Sequence, residues 1–197
     1  MSKAIAFFDF DGTITTSDSL AEFIRFKQGS YGFITGLLPL LPSILGFKAG
    51  FVDRQYAKEK LLAKFFAGIP EEKFRALATN FVQEKIPSIV RPKAMEKLRW
   101  HQHEGHEVVI VSASPAHWVE PWCTSNGFIC ISTELETVNG KITGKILGKN
   151  CHGEEKVRRI KERFRLSDYS SIYAYGDTSG DEPMLALASF SYYKPFL

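Results

Sequence analysis

The amino-acid sequence predicts an α/β protein with a Rossmann-like, doubly wound and mainly parallel sheet and an inserted helical cap. Short apolar segments typical of buried parallel strands alternate with helical segments, and the first two of these strands are predicted at 4–8 and 106–112. Between them, residues 17–89 carry helical patterns and no strand signal. We therefore predict a core of residues 1–16 and 90–197, into which 17–89 is inserted as the cap.

The predicted elements follow from local patterns in chain order. In the cap, Asp18 or Ser17 is placed to cap a helix through 21–26, and further helices are predicted at 53–66 and 70–85. An Asn-Gly pair between two strand-like segments of the core predicts a hairpin with a type I′ turn. The core is otherwise predicted to contain helices at 92–100, 115–126, 154–165 and 181–188, and strands at 106–112, 128–133, 171–175 and 190–193.

The composition is that of an ordinary soluble domain, with 44% hydrophobic and 24% charged residues among 197. The net charge of +3 is too small to predict a nucleic-acid partner. Three cysteines without paired spacing predict reduced thiols and a cytoplasmic location. Only five apolar residues separate Lys3 from Asp9, which is too few for a secretion signal.

The segment Asp9-Phe10-Asp11-Gly12-Thr13 directly follows the first predicted strand. Alternate residues of an extended chain point to the same side, so we expect both aspartates to face one site. In open α/β sheets, ligands bind where the strands end. Two neighbouring carboxylates repel each other, and a bound Mg²⁺, which prefers oxygen ligands, relieves that repulsion. The alternative interpretation is an ordinary Asp-Gly turn at the surface.

Two further motifs have the chemistry of phosphate binding. Ser112-Ala113-Ser114 lies at the end of the second predicted strand, where a hydroxyl and backbone N–H groups before a helix form a phosphate cradle. Taken alone, this segment is also an ordinary way to begin a helix. Lys156 lies near the start of a later helix, and lysine neutralises phosphate as a point charge. Lys149 and Lys145 could serve equally well on pattern alone.

The last motif, Gly176-Asp177-Thr178-Ser179-Gly180-Asp181, follows the strand predicted at 171–175. Asp177 adds a carboxylate at the same edge of the sheet, and Asp181 begins the next helix within reach of the same metal. Taken singly, these residues are a turn aspartate and a helix cap. Together the four motifs supply a nucleophile, metal ligands, a phosphate cradle and a cation.

In these motifs the chain resembles the haloacid dehalogenase-like (HAD) phosphohydrolases over about residues 1–16 and 90–193. The resemblance implies that Asp9 attacks phosphorus to form an aspartyl-phosphate, and that Asp11 is the general acid and base. It implies a Mg²⁺ cofactor held by Asp9, the Asp11 carbonyl, Asp177 and Asp181. It also implies that the phosphoryl group is held by Gly12, Ser112, Ala113 and Lys156, with Lys149 as the alternative lysine.

The position of the cap resembles subfamily IB, the group with C1-type caps that contains phosphoserine phosphatase. The segments 151–156 and 37–42 look closer to a bacterial branch that includes phosphatidylglycerophosphatase C. Asp18 falls where phosphoserine phosphatases carry a glutamate for the substrate amine. Their carboxylate-binding arginine has no clear match here, and Arg54 is only near its place. We take Asp18 and Arg54 as candidate specificity residues.

Residues 31–47 are seventeen residues without a charge. A single membrane crossing is not expected, because motifs that must meet in one site lie both before and after this segment. Three alternatives are open: two short helices packed inside the cap, a segment that dips into a membrane interface, or the wall of a pocket for an apolar substrate.

We predict a Mg²⁺-dependent phosphomonoesterase that acts on a lipid phosphate such as phosphatidylglycerophosphate, in the cytoplasm or at the inner face of the membrane. One alternative is a phosphatase of a small polar metabolite such as phosphoserine or histidinol phosphate. Another is a phosphate-binding module without catalysis. A module that only binds needs no nucleophile and acid together, so the presence of both Asp9 and Asp11 favours the enzyme.

Overall fold

The computed structural model describes residues 3–48, 51 and 53–197. Its strands are β1 (Ala4–Phe8), β2 (Glu107–Pro115), β3 (Ile129–Thr133), β4 (Leu135–Val138), β5 (Lys141–Ile146), β6 (Ser171–Gly176) and β7 (Phe190–Tyr193). Its α-helices are α1 (Ser19–Leu37), α2 (Leu41–Lys48), α3 (Arg54–Phe66), α4 (Glu71–Glu84), α5 (Ile86–Ile89), α6 (Pro92–His103), α7 (Ala116–Asn126), α8 (Glu154–Arg163) and α9 (Glu182–Leu185). Short helical turns lie at 10–14, 38–40, 166–168 and 179–181.

Five strands form one parallel sheet in the order β3-β2-β1-β6-β7. The predicted α/β fold with a mainly parallel sheet is confirmed. β1 is buried at all five positions, which explains why its sequence is apolar throughout instead of alternating. Because β1 lies between β2 and β6 and all three run in the same direction, the segments that follow these strands meet at one edge of the sheet.

The two faces of the sheet are covered by separate hydrophobic clusters. Phe8 of β1 belongs to the larger cluster and Phe7 to the smaller one, as expected when successive side chains of a strand point to opposite faces. Phe23 of α1 stacks on Trp118 of α7, with ring centroids 4.6 Å apart. The larger cluster also contains four buried phenylalanines from α3 and α4, which are Phe65, Phe66, Phe74 and Phe81. Helices that lie between β1 and β2 in the chain therefore share one core with the sheet.

The strands β4 and β5 pair with each other in a two-stranded sheet, as the Asn-Gly turn predicts. Asn139 and Gly140 have φ angles of 50° and 71°, which is the conformation a type I′ turn requires. The hairpin lies closely against α3, since a Cβ at Gly144 would be 2.2 Å from the Cα of Ala63. The division into core and cap stays a prediction, because this hairpin of the predicted core packs against a helix of the predicted cap.

Residues 31–47 form the end of α1, the turn at 38–40 and most of α2. None of the described side chains in this segment is fully buried, although several are partly buried, and the choice among the three alternatives stays a prediction. Leu37 and Leu40 are partly buried against the larger cluster. No helix in the described ranges is both long and apolar enough to cross a membrane. Among the described side chains of the segment, the large apolar ones that are exposed are Tyr31, Ile34, Leu38, Leu41 and Leu45.

The first and the last of the predicted helices end at residues other than those predicted. The first was predicted through 21–26, whereas α1 continues to Leu37. It is interrupted at Gly29, where φ is 70°, a value that glycine adopts without steric cost. The last was predicted at 181–188, but it begins as a turn at 179–181 and α9 ends at Leu185.

Candidate active site

Asp9 lies at the carboxyl end of β1, where its backbone N–H donates to the carbonyl of Tyr175 at 2.9 Å. The side chain is 7% exposed, and its Oδ1 accepts a hydrogen bond from Nζ of Lys156 at 2.5 Å. Burial raises the pKa of Asp9 to about 8, although the Lys156 charge acts in the opposite direction. The carboxylate therefore needs further positive charge nearby to be ionised at neutral pH.

Lys156 extends from the first turn of α8 into the site, and its side chain is 1% exposed. Besides Asp9, its Nζ donates to Oδ1 of Asp181 and to the carbonyl of Val111, each at 2.7 Å. Burial alone would lower the pKa of Lys156, but the two carboxylates raise it above its ordinary value. The alternative lysine, Lys149, is exposed, so of these two it is Lys156 that reaches the other motifs.

The carboxylates of Asp9, Asp177 and Asp181 form an acidic cluster, in which one oxygen from each lies within 4.8 Å of the others. Oδ2 of Asp181 accepts from the backbone N–H of Thr178 at 3.0 Å, so Asp181 also shapes the loop after β6. Burial raises the pKa of Asp177, whereas Lys156 and Thr178 together outweigh burial and lower that of Asp181. Three carboxylates beside one ammonium leave excess negative charge, and all are oxygen donors. The cluster therefore fits a divalent cation.

Gly12 lies directly against Asp177. Its φ is 87°, and a Cβ at this position would be 2.4 Å from Oδ2 of Asp177. Thr13 Oγ1 donates to Oδ1 of the same carboxylate at 2.9 Å. Only a residue without a side chain accepts both this φ and this contact. The backbone N–H of Gly12 donates to Oγ1 of Thr15 at 3.3 Å, and its predicted contact with phosphate stays a prediction.

The carboxylate of Asp11 lies outside the acidic cluster and is held by two donors. Its Oδ1 accepts from the backbone N–H of Ser19 at 2.6 Å, and its Oδ2 accepts from the hydroxyl of Ser114 at 2.5 Å. Desolvation, followed by the charge of Asp18, raises the pKa of Asp11 to about 6. A carboxyl group with such a pKa is suited to giving and taking protons near neutral pH.

Ser112 and Ala113 lie near the end of β2 on the same side of the site. Ser112 is buried, and its Oγ accepts from the backbone N–H of Ser114 at 2.9 Å. Ala113 lines the same cavity as Asp9. The structure thus brings the first, second and fourth motifs together with Lys156, and the roles of the individual residues stay predictions.

Asp9, Asp11, Ala113, Lys156 and Asp181 line one cavity of about 370 Å³. Both candidate specificity residues, Asp18 and Arg54, contribute to it. Asp18 also caps α1, because its Oδ1 accepts from the backbone N–H of Ala21 at 2.8 Å. The apolar part of the lining is Leu20, Leu37, Leu40, Ala57 and Leu61. Its other polar side chains include Ser43, Lys58, Ser114, Asn150, His152 and Thr178.

Sequence reasoning did not select Lys58 as a site residue. Its Nζ donates to the carbonyl of Ala113 at 2.5 Å and to Oδ1 of Asn150 at 3.0 Å, so it joins α3 to the end of β2. A signal for it existed, since Lys58 follows Arg54 by one helical turn and lies on the same face. His152 was also missed as a cavity residue, and burial lowers its pKa to about 4.

A parallel sheet with a buried aspartate, a lysine and an acidic cluster at its carboxyl edge has the groups that a metal-assisted hydrolase requires. Residues 6–186 match the haloacid dehalogenase-like hydrolase family. The chain belongs to this family.

Similar proteins agree with this assignment. Protein CicA of Caulobacter vibrioides is 37% identical over 194 residues, which cover 96% of this chain and 85% of that protein. A histidinol-phosphatase of Neisseria meningitidis is 26% identical over 196 residues, covering 95% of this chain and 88% of that one. The family and the relatives that are named as phosphatases confirm the predicted class of phosphomonoester hydrolase. The phosphatidylglycerophosphatase branch stays a prediction.

Solved structures show the same fold. A Bordetella pertussis protein of unknown function superimposes with a TM-score of 0.83 at 23% identity, covering 97% of this chain and 89% of that one. A probable phosphoserine phosphatase from Vibrio cholerae superimposes with a TM-score of 0.71 at 18% identity, covering 97% of this chain and 55% of that one. The predicted likeness to the phosphoserine phosphatase fold is therefore confirmed.

Proposed function

We propose that this chain is a Mg²⁺-dependent phosphomonoesterase in which Asp9 is the nucleophile. The observation that carries the proposal is the position of Lys156, whose Nζ lies 2.5 Å from Asp9 and 2.7 Å from Asp181. One buried cation thus binds both the attacking carboxylate and a member of the acidic cluster. This arrangement supports Asp9 as the nucleophile, because a cation and a candidate metal ligand lie beside it.

In the proposed reaction, Asp9 attacks phosphorus, the bond to the leaving oxygen breaks, and an aspartyl-phosphate forms. Asp11 gives its proton to the leaving oxygen. It then takes a proton from the water that attacks the aspartyl-phosphate, which releases inorganic phosphate and restores Asp9. The hydroxyl of Ser112 and the N–H of Ala113 hold the phosphoryl oxygens, and the positive charge of Lys156 beside them stabilises their charge.

The carboxylates of Asp9, Asp177 and Asp181, with the backbone carbonyl of Asp11, are the groups that would hold Mg²⁺. Its charge would offset the repulsion between the nucleophile and the phosphoryl oxygens. The residues fit this cofactor because the three carboxylate oxygens converge within 4.8 Å and because Gly12 leaves Asp177 the space that a side chain would fill.

For the substrate we propose a phosphate ester with an apolar tail, such as phosphatidylglycerophosphate. The support is the composition of the cavity wall, since Leu37 and Leu40 of the uncharged segment 31–47 line it together with Leu61. The other side of that segment is open to solvent. We call its exposed side chains, with Phe51, the apolar outer face: Tyr31, Ile34, Leu38, Leu41, Leu45 and Phe51. Such a face beside the cavity would place the site at the inner surface of a membrane.

The alternative substrate is a small polar phosphate ester, such as histidinol phosphate or phosphoserine. The observation that favours it is the charged part of the cavity lining, where Asp18, Arg54 and Lys58 all contribute. Charged groups of both signs can bind an ester that carries an amine or a carboxylate. The name of the Neisseria relative, histidinol-phosphatase, supports the same alternative.

The reaction is tested by phosphate release from 4-nitrophenyl phosphate with and without Mg²⁺. Asp9→Asn should abolish turnover and leave the unfolding transition in place, because the change removes the nucleophile and keeps the shape. Asp168→Asn, the same change at an exposed aspartate, should behave as wild type. The proposal fails if Asp9→Asn keeps wild-type turnover, or if chelation of Mg²⁺ has no effect.

The substrate is tested by comparing phosphatidylglycerophosphate in mixed micelles with phosphoserine and histidinol phosphate at matched concentrations. A lipid preference that falls in Leu45→Ser, with an unchanged rate on 4-nitrophenyl phosphate, would support the apolar outer face as the membrane contact. Val138→Ser, at an exposed apolar residue of the hairpin, is the control and should keep the lipid rate. Preference for a soluble ester would favour the alternative.

A further inference from the structure

We propose that Ser114, supported by Ser19 and Trp118, positions Asp11 so that its exchangeable proton faces the cavity. This inference rests on the proposed function, in which Asp11 protonates the leaving oxygen. It concerns three residues that do not touch the acidic cluster in the described contacts, and it explains how Asp11 is held for its task.

The three side chains form a hydrogen-bonded chain that ends at Asp11. Trp118 Nε1 donates to Ser19 Oγ at 2.9 Å, Ser19 Oγ donates to Ser114 Oγ at 3.0 Å, and Ser114 Oγ donates to Asp11 Oδ2 at 2.5 Å. The indole N–H can only donate, and each hydroxyl has a single proton. Among the described contacts the Ser19 hydroxyl has no acceptor other than Ser114, and the Ser114 hydroxyl then has none other than Asp11, so both hydroxyl protons point towards Asp11.

The second oxygen of Asp11 is engaged from the same side. Its Oδ1 accepts from the backbone N–H of Ser19 at 2.6 Å, at the beginning of α1. Because both oxygens accept hydrogen bonds from the protein, a proton carried by Asp11 itself must lie on a lone pair directed elsewhere. Asp11 lines the cavity, so the direction left to that proton is towards the substrate.

Burial holds the side chains of this hydrogen-bonded chain in fixed positions. Ser19 and Trp118 have no exposed surface, and Ser114 is 3% exposed. The three residues come from α1, β2 and α7, and Trp118 is held in place by its stack on Phe23. Ser19 and Trp118 are therefore shut off from solvent, and Ser114 is the member of the hydrogen-bonded chain that lies at the cavity.

The test uses a series of substituted phenyl phosphates whose leaving phenolates differ in basicity. The ratio kcat/KM covers the steps up to formation of the aspartyl-phosphate, so later attack by water does not enter. In Ser114→Ala, kcat/KM should fall by about tenfold for the most basic leaving group and change little for 4-nitrophenyl phosphate. The plot of log kcat/KM against leaving-group pKa should therefore be steeper than in the wild type.

Trp118→Phe is the second variant, since it keeps an aromatic ring against Phe23 and removes the indole N–H that donates to Ser19, together with part of the ring. It should steepen the same plot by a smaller amount. If Ser114→Ala does not fold, the slope of Trp118→Phe alone tests the inference. Ser125→Ala, which removes a hydroxyl on the exposed side of α7, should leave the slope unchanged.

An equal loss for all esters, or an unchanged slope, in Ser114→Ala and Trp118→Phe would overturn the inference while leaving the proposed phosphatase intact. The proposed function itself fails on a different result, which is wild-type turnover by Asp9→Asn.

Discussion

Lys156 and Asp9, 147 residues apart in the chain, are joined by a hydrogen bond of 2.5 Å from Nζ to Oδ1. The remaining donors of the ammonium group are used by Asp181 and the carbonyl of Val111. Lys156 therefore connects α8 with the ends of β1 and β2 and with the turn before α9. Its charge is the main compensation within the protein for the acidic cluster, so the same residue contributes to stability and to the proposed chemistry.

Lys156→Met should lower the free energy of unfolding by about 3 kcal/mol without metal, because it leaves buried carboxylates without their cation. It should also lower kcat/KM by about 100-fold or more, since a charge directed at the phosphoryl group is lost. Denaturant unfolding and phosphate release measure the two effects. Lys149→Met, the same change at an exposed lysine, should alter stability by less than about 0.5 kcal/mol. Equal behaviour of the two variants would contradict the assignment.

The positions of Asp9, Ser112 and Asp177 could be predicted because each lies at or directly after the end of a predicted strand, and parallel strands end at one edge of a sheet. Contacts between elements that are distant in the chain could not be predicted in this way. Lys58 shows this, because nothing in the local pattern of α3 says that its Nζ reaches the carbonyl of Ala113. The hairpin at 135–146 was predicted from its turn, but its packing against Ala63 depends on the tertiary structure.

The uncharged segment 31–47 shows a second limit of sequence reasoning. Its composition is equally suited to a buried, a membrane-facing or a pocket-lining helix, because hydrophobicity alone does not say what covers an apolar side chain. In the structure, Leu37 and Leu40 face the cavity while Tyr31 and Leu45 are exposed. The same segment therefore has both an inner and an outer apolar side.

Gly12→Ala should weaken metal binding, because its Cβ would lie 2.4 Å from Oδ2 of Asp177 and force that carboxylate to move. We expect the Mg²⁺ concentration for half-maximal activity to rise by about tenfold or more, with about 1 kcal/mol of stability lost through the positive φ. Gly105→Ala is the matched control, since its φ of 72° brings similar strain and nothing lies within 4 Å of the new Cβ. If both variants need the same Mg²⁺ concentration as wild type, the contact with Asp177 has no role in metal binding.

Gly144→Ala should destabilise the protein by about 2–4 kcal/mol, because strain at a φ of 85° is added to a Cβ placed 2.2 Å from the backbone of Ala63. Gly148→Ala has a similar φ of 80° and open space around the new Cβ, so it should cost about 1 kcal/mol. Equilibrium unfolding in denaturant measures the loss of stability in both variants. Equal losses would show that the hairpin does not pack closely against α3.

His117→Leu should stabilise the protein by about 1 kcal/mol at neutral pH. His117 is 6% exposed, neither ring nitrogen has a hydrogen-bond partner among the described residues, and the ring lies edge-on to Phe74 at 4.9 Å. Leucine removes two buried polar atoms without partners and keeps an apolar contact. His103→Leu, at an exposed histidine, should change stability by less than about 0.5 kcal/mol.

The same variant should change the pH dependence of stability. Burial, followed by the charge of Arg75, lowers the pKa of His117 from 6.5 to about 4. Between these values the unfolded chain binds more protons than the folded one, so the free energy of unfolding falls as the pH falls from 6.5 to 4. His117→Leu removes this contribution, and its curve of unfolding free energy against pH should be flatter than that of the wild type over that range. A wild-type slope in His117→Leu would mean that His117 is protonated in the folded protein as readily as in the unfolded chain.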